Sequence, residues 1–164
     1  MQRGFSLTEM LLACAIAAVL LLLAMPPLSG TKPAAAASSA LAVDAAVSKA
    51  QSIAATSGNG ATLQFSAVTN GTAIRVYSGR PNGVSAMTQA APDTNTFATI
   101  AESSLGAAPF AVFFDSSGHA SAMSGMVDPA AAIASDPGCP AAGAVTLLIS
   151  DPRDRVQRTL PCAH

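Results

Sequence analysis

Residues Phe5 to Met25 read FSLTEMLLACAIAAVLLLLAM, and this run constrains the chain more than any other feature. As a helix it spans about 31 Å, against a bilayer hydrocarbon core of about 30 Å. Ala, Leu and Met dominate it, so helix propensity is high. Between Gly4 and Met25 the ionisable groups are Glu9 and Cys14. A carboxylate inside an apolar segment costs on the order of 2.5–3.5 kcal/mol near the bilayer centre, and less near its edge. Glu9 is therefore expected to have a functional partner; the plainer alternative seats it at the headgroup level. A spanning helix fits better than a cleaved secretory signal, whose apolar region is roughly 7–15 residues long. An Ala-x-Ala-like site within Ala34–Ala37 keeps a Sec-secreted periplasmic domain as a rival reading.

Beyond Gly30 the chain reads as a small soluble domain rich in Ala, Ser, Thr and Gly. Charged residues make up 10% of the chain and the net charge is −1, far from the basic balance of a dedicated nucleic-acid binder. With no Trp and one Tyr, a base-stacking platform is poorly supported. Pro26-Pro27 and the run to Pro33 interrupt the helix, either as a kink used in assembly or as a simple exit from the membrane. From Ala34 to Ser57, Ala36, Ala40, Val43, Val47, Ala50 and Ala54 form an apolar stripe at helical spacing. Ser57-Gly58-Asn59-Gly60 ends it.

Strand patterns follow. Thr62–Val68 and Ala73–Tyr77 flank Asn70-Gly71, a hairpin signal. Gly79–Asn95 reads as a loop, Phe97–Ile100 as a short strand, and Phe110–Phe114 as a buried strand closed by Asp115-Ser116-Ser117-Gly118. Gly125–Gly143 reads as loop-rich. Val145–Ile149 and Arg155–Leu160 are strands around the turn Asp151-Pro152-Arg153-Asp154. A helix followed by antiparallel strands is an α+β arrangement.

Gly4-Phe5-Ser6-Leu7-Thr8-Glu9 resembles the prepilin cleavage and methylation motif of type IV pilins and type II secretion pseudopilins. The resemblance implies cleavage after Gly4 by prepilin peptidase and N-methylation of Phe5. Pro26, the twenty-second residue after that cut, stands where many pilins have a helix-kinking proline. Arg3 in the leader agrees with a cytoplasmic N-terminus. The resemblance implies a pilin fold: a leader at 1–4, a transmembrane and filament-core helix at 5–27, a hinge at 28–33, an amphipathic helix at 34–57 packed on the sheet, and a periplasmic β-rich domain at 58–164. In a filament, Glu9 would neutralise the amino terminus of a neighbouring subunit, because an unpaired charge in low dielectric is costly. The implied partners are other pilins or pseudopilins, prepilin peptidase and an inner-membrane assembly platform. The later chain is similar to pseudopilins of the GspH/FimT type, through Phe113-Phe114-Asp115-Ser116-Ser117-Gly118-His119 and the closing hairpin Val145–Leu160.

Cys14 lies in the apolar run. Cys139 and Cys162 fall in the domain that this topology places in the oxidising periplasm, so a disulfide is expected. The C-terminal disulfide loops of many pilins agree with that pairing. Two free thiols, or a metal site with His164, stand as alternatives. Arg153, Arg155 and Arg158 cluster in the last hairpin and raise DNA contact during natural transformation as a second function, with Asp151 and Asp154 offsetting two of the charges. No enzyme activity and no cofactor is expected: Asp115, Ser116 and His119 read as turn residues, and no phosphate-binding loop or dinucleotide fingerprint occurs.

Overall fold

The computed structural model describes Thr8, Met10 and residues 35–81, 87–125 and 138–162. The chain divides into two compact units, residues 1–32 and 33–164. In the first, Thr8 and Met10 are helical. Gly4, Phe5, Glu9, Cys14 and the kink or hinge expected at 28–33 lie outside the described residues. Among the described residues no helix is long and apolar enough to cross a membrane.

The second unit opens with α1, Ala35–Ser57. Ala dominates it, and its buried residues are Ala36, Ser39, Ala40, Val43, Ala46, Val47, Ala50 and Ala54. That is the stripe read from the sequence, widened by Ser39 and Ala46. Gly58 ends the helix at φ 69°, its N–H donating to the Ala54 carbonyl, as a glycine cap does.

Among the described residues, ten strands follow: β1 Ala61–Val68, β2 Gly71–Ser78, β3 Thr88–Gln89, β4 Thr94–Thr96, β5 Thr99–Glu102, β6 Gly106–Ala107, β7 Phe110–Phe114, β8 Ala120–Ser124, β9 Ala144–Ser150 and β10 Arg155–Pro161. They build two antiparallel sheets. The larger has the order β3-β2-β1-β7-β8, with β4 also on β2; the smaller has the order β10-β9-β5-β6. The expected hairpins β1–β2 and β9–β10 are both present. The stretch read as a loop from Gly79 to Asn95 contains β3 and most of β4. Thr94-Asn95-Thr96 carries no apolar alternation. It becomes a strand because the edge of β2 offers unpaired backbone groups, and Arg75 holds Asp93 beside it at 2.8 Å.

One core joins α1 to both sheets. The helix supplies small side chains, while Leu63, Phe65, Ile74, Phe110, Phe114, Ile100, Leu147 and Ile149 supply the bulk. Phe65 and Phe110 stack with centroids 4.7 Å apart. Each of these large side chains contributes roughly 1.5–3 kcal/mol by leaving water. The other face of β1 is also covered: Gln64 is buried and its Nε2 donates to the carbonyls of Phe65 and Phe110 at 3.1 Å.

The chain passes from the larger sheet to the smaller through Phe97 and Ala98. Thr72 secures that crossing. Its Oγ1 donates to the Ala98 carbonyl at 3.2 Å and accepts from the Ile100 N–H at 3.1 Å. Thr96 Oγ1 donates to the Thr72 carbonyl at 2.9 Å. Gly71, at φ 153°, lies so close that a Cβ there would collide with the Thr96 main chain. A second junction centres on Glu102, which is buried. Its carboxylate accepts from the N–H groups of Ser104 (2.7 Å), Leu105 (2.8 Å) and Thr146 (3.3 Å), and from the hydroxyls of Ser103 and Ser104. Burial pushes the Glu102 carboxyl up, but these donors together outweigh it and hold it below the usual carboxylate range. Finally, a disulfide joins Cys139 to Cys162, with Cα atoms 5.8 Å apart. It ties the end of β10 to Gly138, whose backbone pairs with Ala122 on β8 of the other sheet.

Gly71→Ala is expected to cost at least about 2 kcal/mol in urea unfolding, because the neighbour it meets is rigid main chain. Glu102 binds its proton more weakly when folded, so its stabilising effect is complete above the unfolded pKa and is lost as the pH falls through the folded one. Wild type is thus expected to lose more stability than Glu102→Gln between neutral pH and acid, with the variant the less stable at neutral pH. Cys139→Ser with Cys162→Ser is expected to lower stability by about 3 kcal/mol, read from the shift in urea midpoint.

Candidate functional site: the β9–β10 hairpin against the start of α1

The tight turn between β9 and β10 is organised by Asp151. Its N–H donates to the Asp154 carbonyl at 3.0 Å, and its Oδ1 accepts from the N–H groups of Arg153 and Asp154 at 2.7 Å. Its other oxygen, Oδ2, accepts from the N–H of Ala36 at 2.9 Å. Helix starts leave several N–H groups without intrahelical partners, and α1 has no acidic residue in its first turn. The missing acceptor comes from 115 positions later in the chain. The bond from Ala36, followed by that from Arg153, holds the Asp151 carboxyl below the usual carboxylate range. A carboxylate is also the favourable charge at this end of the helix dipole.

A second tie lies further along α1. Arg158 Nε and Nη2 meet Asp44 Oδ1 and Oδ2 at 2.8 and 2.9 Å, a two-pronged pair. This pair raises the Arg158 guanidinium further above its already high range. The hairpin thus touches α1 at its first residues and again at Asp44.

The three arginines of the hairpin do not share one face. Side chains alternate along a strand, so positions 155 and 158 of β10 point to opposite sides. Arg158 turns toward α1 with Leu160, and Arg155 turns away; Arg153 sits in the turn, and both are exposed. The expected offsetting by Asp151 and Asp154 takes another form. Asp154 accepts from the Arg155 N–H at 2.8 Å, so both carboxylates serve backbone groups, while Asp44 neutralises Arg158. The spacing in sequence conceals this because strand alternation, and not proximity in the chain, sets direction.

The outer edge of β10 is also blunted. The bonds from Asp151 to Asp154 and from Cys162 to Gly143 fix the ladder phase, so Arg155, Gln157, Thr159 and Pro161 turn their backbone groups outward. The Arg155 N–H is taken by Asp154, the Gln157 carbonyl accepts from Arg158 Nη1, and Pro161 has no N–H. Such an edge resists unplanned strand pairing.

Elsewhere, Asp115 behaves as the turn residue expected. Its Oδ1 accepts from the N–H groups of Ser117 and His119, and Oδ2 lies 3.5 Å from His119 Nδ1. The disulfide takes up both thiols of the alternative metal site, and His164 lies outside the described residues. Among the described residues no group of three or more His, Cys, Asp or Glu side chains is placed to hold a metal. Phe97, at the crossing between sheets, is 78% exposed and stands beside a cleft of about 360 Å³ lined by uncharged residues such as Val68, Asn70 and Thr99. Nothing in its local sequence marks it as exposed; its position at the crossing does.

No curated protein and no solved structure matches this chain. The N-terminal residues do find a counterpart among protein families. Residues 1–25, which contain Gly4, Phe5 and Glu9, match the family model described as the prokaryotic N-terminal methylation motif, a feature consistent with a prepilin-type pilin or pseudopilin.

Proposed function

We propose that this protein is a structural subunit, a minor pilin or pseudopilin, of a type IV pilus or a type II secretion pseudopilus. The observation that carries this reading is the match of residues 1–25 to the methylation motif, with one carboxylate, Glu9, inside an apolar run. Prepilin peptidase cleaves after Gly4 and the new Phe5 amine is methylated. Residues 5–27 hold the subunit in the bacterial inner membrane, with the N-terminus cytoplasmic and α1 and the strands periplasmic. The Cys139–Cys162 disulfide suits such an oxidising compartment.

Assembly follows from charge. The Phe5 amine is cationic and Glu9 is anionic, and both sit in low dielectric. Each needs a partner, and the amine of one subunit and the carboxylate of its neighbour satisfy each other. A subunit seated out of register would strand both charges, so the pair selects one seating. Other pilins or pseudopilins and an inner-membrane platform are the partners this implies. The work of the subunit is mechanical, with its β domain on the filament surface.

Mass spectrometry of the mature chain is expected to find N-methylated Phe5 as the first residue. A mature terminus near Ala34 would point instead to secretory cleavage and end this reading. Glu9→Ala is expected to be cleaved and methylated normally yet to be missing from filaments sheared off cells; recovery at the wild-type level would refute the charge-pairing account.

A further inference from the structure

The start of α1 is unusual in how little it can hold on with. Its first buried residues are Ala36, Ser39 and Ala40, whose side chains bury little area. Two polar ties do what larger side chains would otherwise do, and both come from one hairpin: Asp151 to the Ala36 N–H, and Arg158 to Asp44. That hairpin is itself fastened at its far end by Cys162. The ties lie at the rim of the helix contact, while Val43, Val47, Ala50 and Ala54 lie within the core. Removing the ties therefore leaves the core in place and frees the first turns.

We infer that Asp151 and the Asp44–Arg158 pair are positioning residues: the β9–β10 hairpin clamps the first three turns of α1 and so sets where the chain enters the globular unit. Resting on the filament reading above, this makes the hairpin a determinant of assembly. A filament subunit must present its globular unit in one orientation at every position. An N-cap residue local to α1 would satisfy the helix end equally well but would carry no information about sheet position. The residue before Ala35 in the sequence is an alanine, whose side chain offers no acceptor, and Asp151 supplies one from the hairpin turn.

The test uses the full chain in detergent micelles and in the producing cells. Asp151→Ala combined with Arg158→Gln is expected to keep the strand chemical shifts and Phe5 methylation. Amide exchange at Ala36 to Ala40 is expected to quicken. Residual dipolar couplings of Ala36 to Ala40 should cease to fit the same alignment as β9. The double variant is expected to be lost from the sheared filament fraction. Adding Ala34→Asp, which supplies a local cap, should restore slow exchange at the helix start without restoring recovery in filaments. If Ala34→Asp restores recovery, the residues only cap a helix and the clamp is refuted. Unchanged couplings, or wild-type recovery of the double variant, refute it too. If the wild-type chain lacks N-methyl-Phe5 or never enters filaments, the filament reading fails by itself. The couplings then decide the clamp alone: divergence supports it and unchanged values overturn it.

Discussion

A helix built almost wholly of small residues must be gripped by what surrounds it, and this requirement shapes the globular unit. The buried face of α1 offers methyl groups, two valines and one serine. Such a face permits close approach to the sheets but adds little volume, so the strands carry the large side chains. Phe65, Phe110 and Phe114 fill the space that the helix leaves. At its C-terminal end the helix stops by its own chemistry, through Gly58. At its N-terminal end it has no such means, and the carboxylate of Asp151 supplies the acceptor from across the fold.

The two sheets meet under a related constraint. Where the chain leaves one sheet for the other, ladder bonds end and backbone groups need other partners, because buried polar groups left unpaired are costly. Thr72 and Thr96 supply those partners at the Phe97–Ala98 crossing. Glu102 does the same where the β5–β6 turn meets β9, with five donors on one carboxylate. Those donors explain how a buried acid keeps its carboxyl below the usual range with no cation beside it among the described residues. The disulfide makes a third link, between the end of β10 and the segment resting on β8.

These features divide the molecule by role. The N-terminal motif carries the processing chemistry and the anchor in the reading proposed above, while the globular unit is cross-linked by Asp151, Glu102 and the Cys139–Cys162 disulfide. The β10 edge is blunted by Asp154, Arg158 and Pro161, which disfavours strand pairing there. Phe97 stands out from that surface on a rigid base, its flanking residues pinned by threonine hydroxyls.

By itself the sequence determined what short-range pattern can specify. The stripe from Ala36 to Ala54 gave away α1 because its period is local, and alternation around Asn70-Gly71 gave away β1 and β2. The methylation motif was legible for the same reason, since a lone Glu9 five residues past a Gly4-Phe5 step needs no fold to be seen. The Cys139–Cys162 disulfide was foreseeable because both cysteines fall in the domain that the topology places in an oxidising compartment, while Cys14 lies in the apolar run. Tertiary structure alone decided everything that rests on distant partners. β3, β4 and β6 exist because other strands offer them hydrogen bonds, and their own residues carry no strand pattern. The arginines of the last hairpin parted because a strand sends alternate side chains to opposite faces. Asp151 looked like a turn residue, and it is one; that its second oxygen also holds a helix 115 positions earlier is a fact of three-dimensional proximity, which no local pattern encodes.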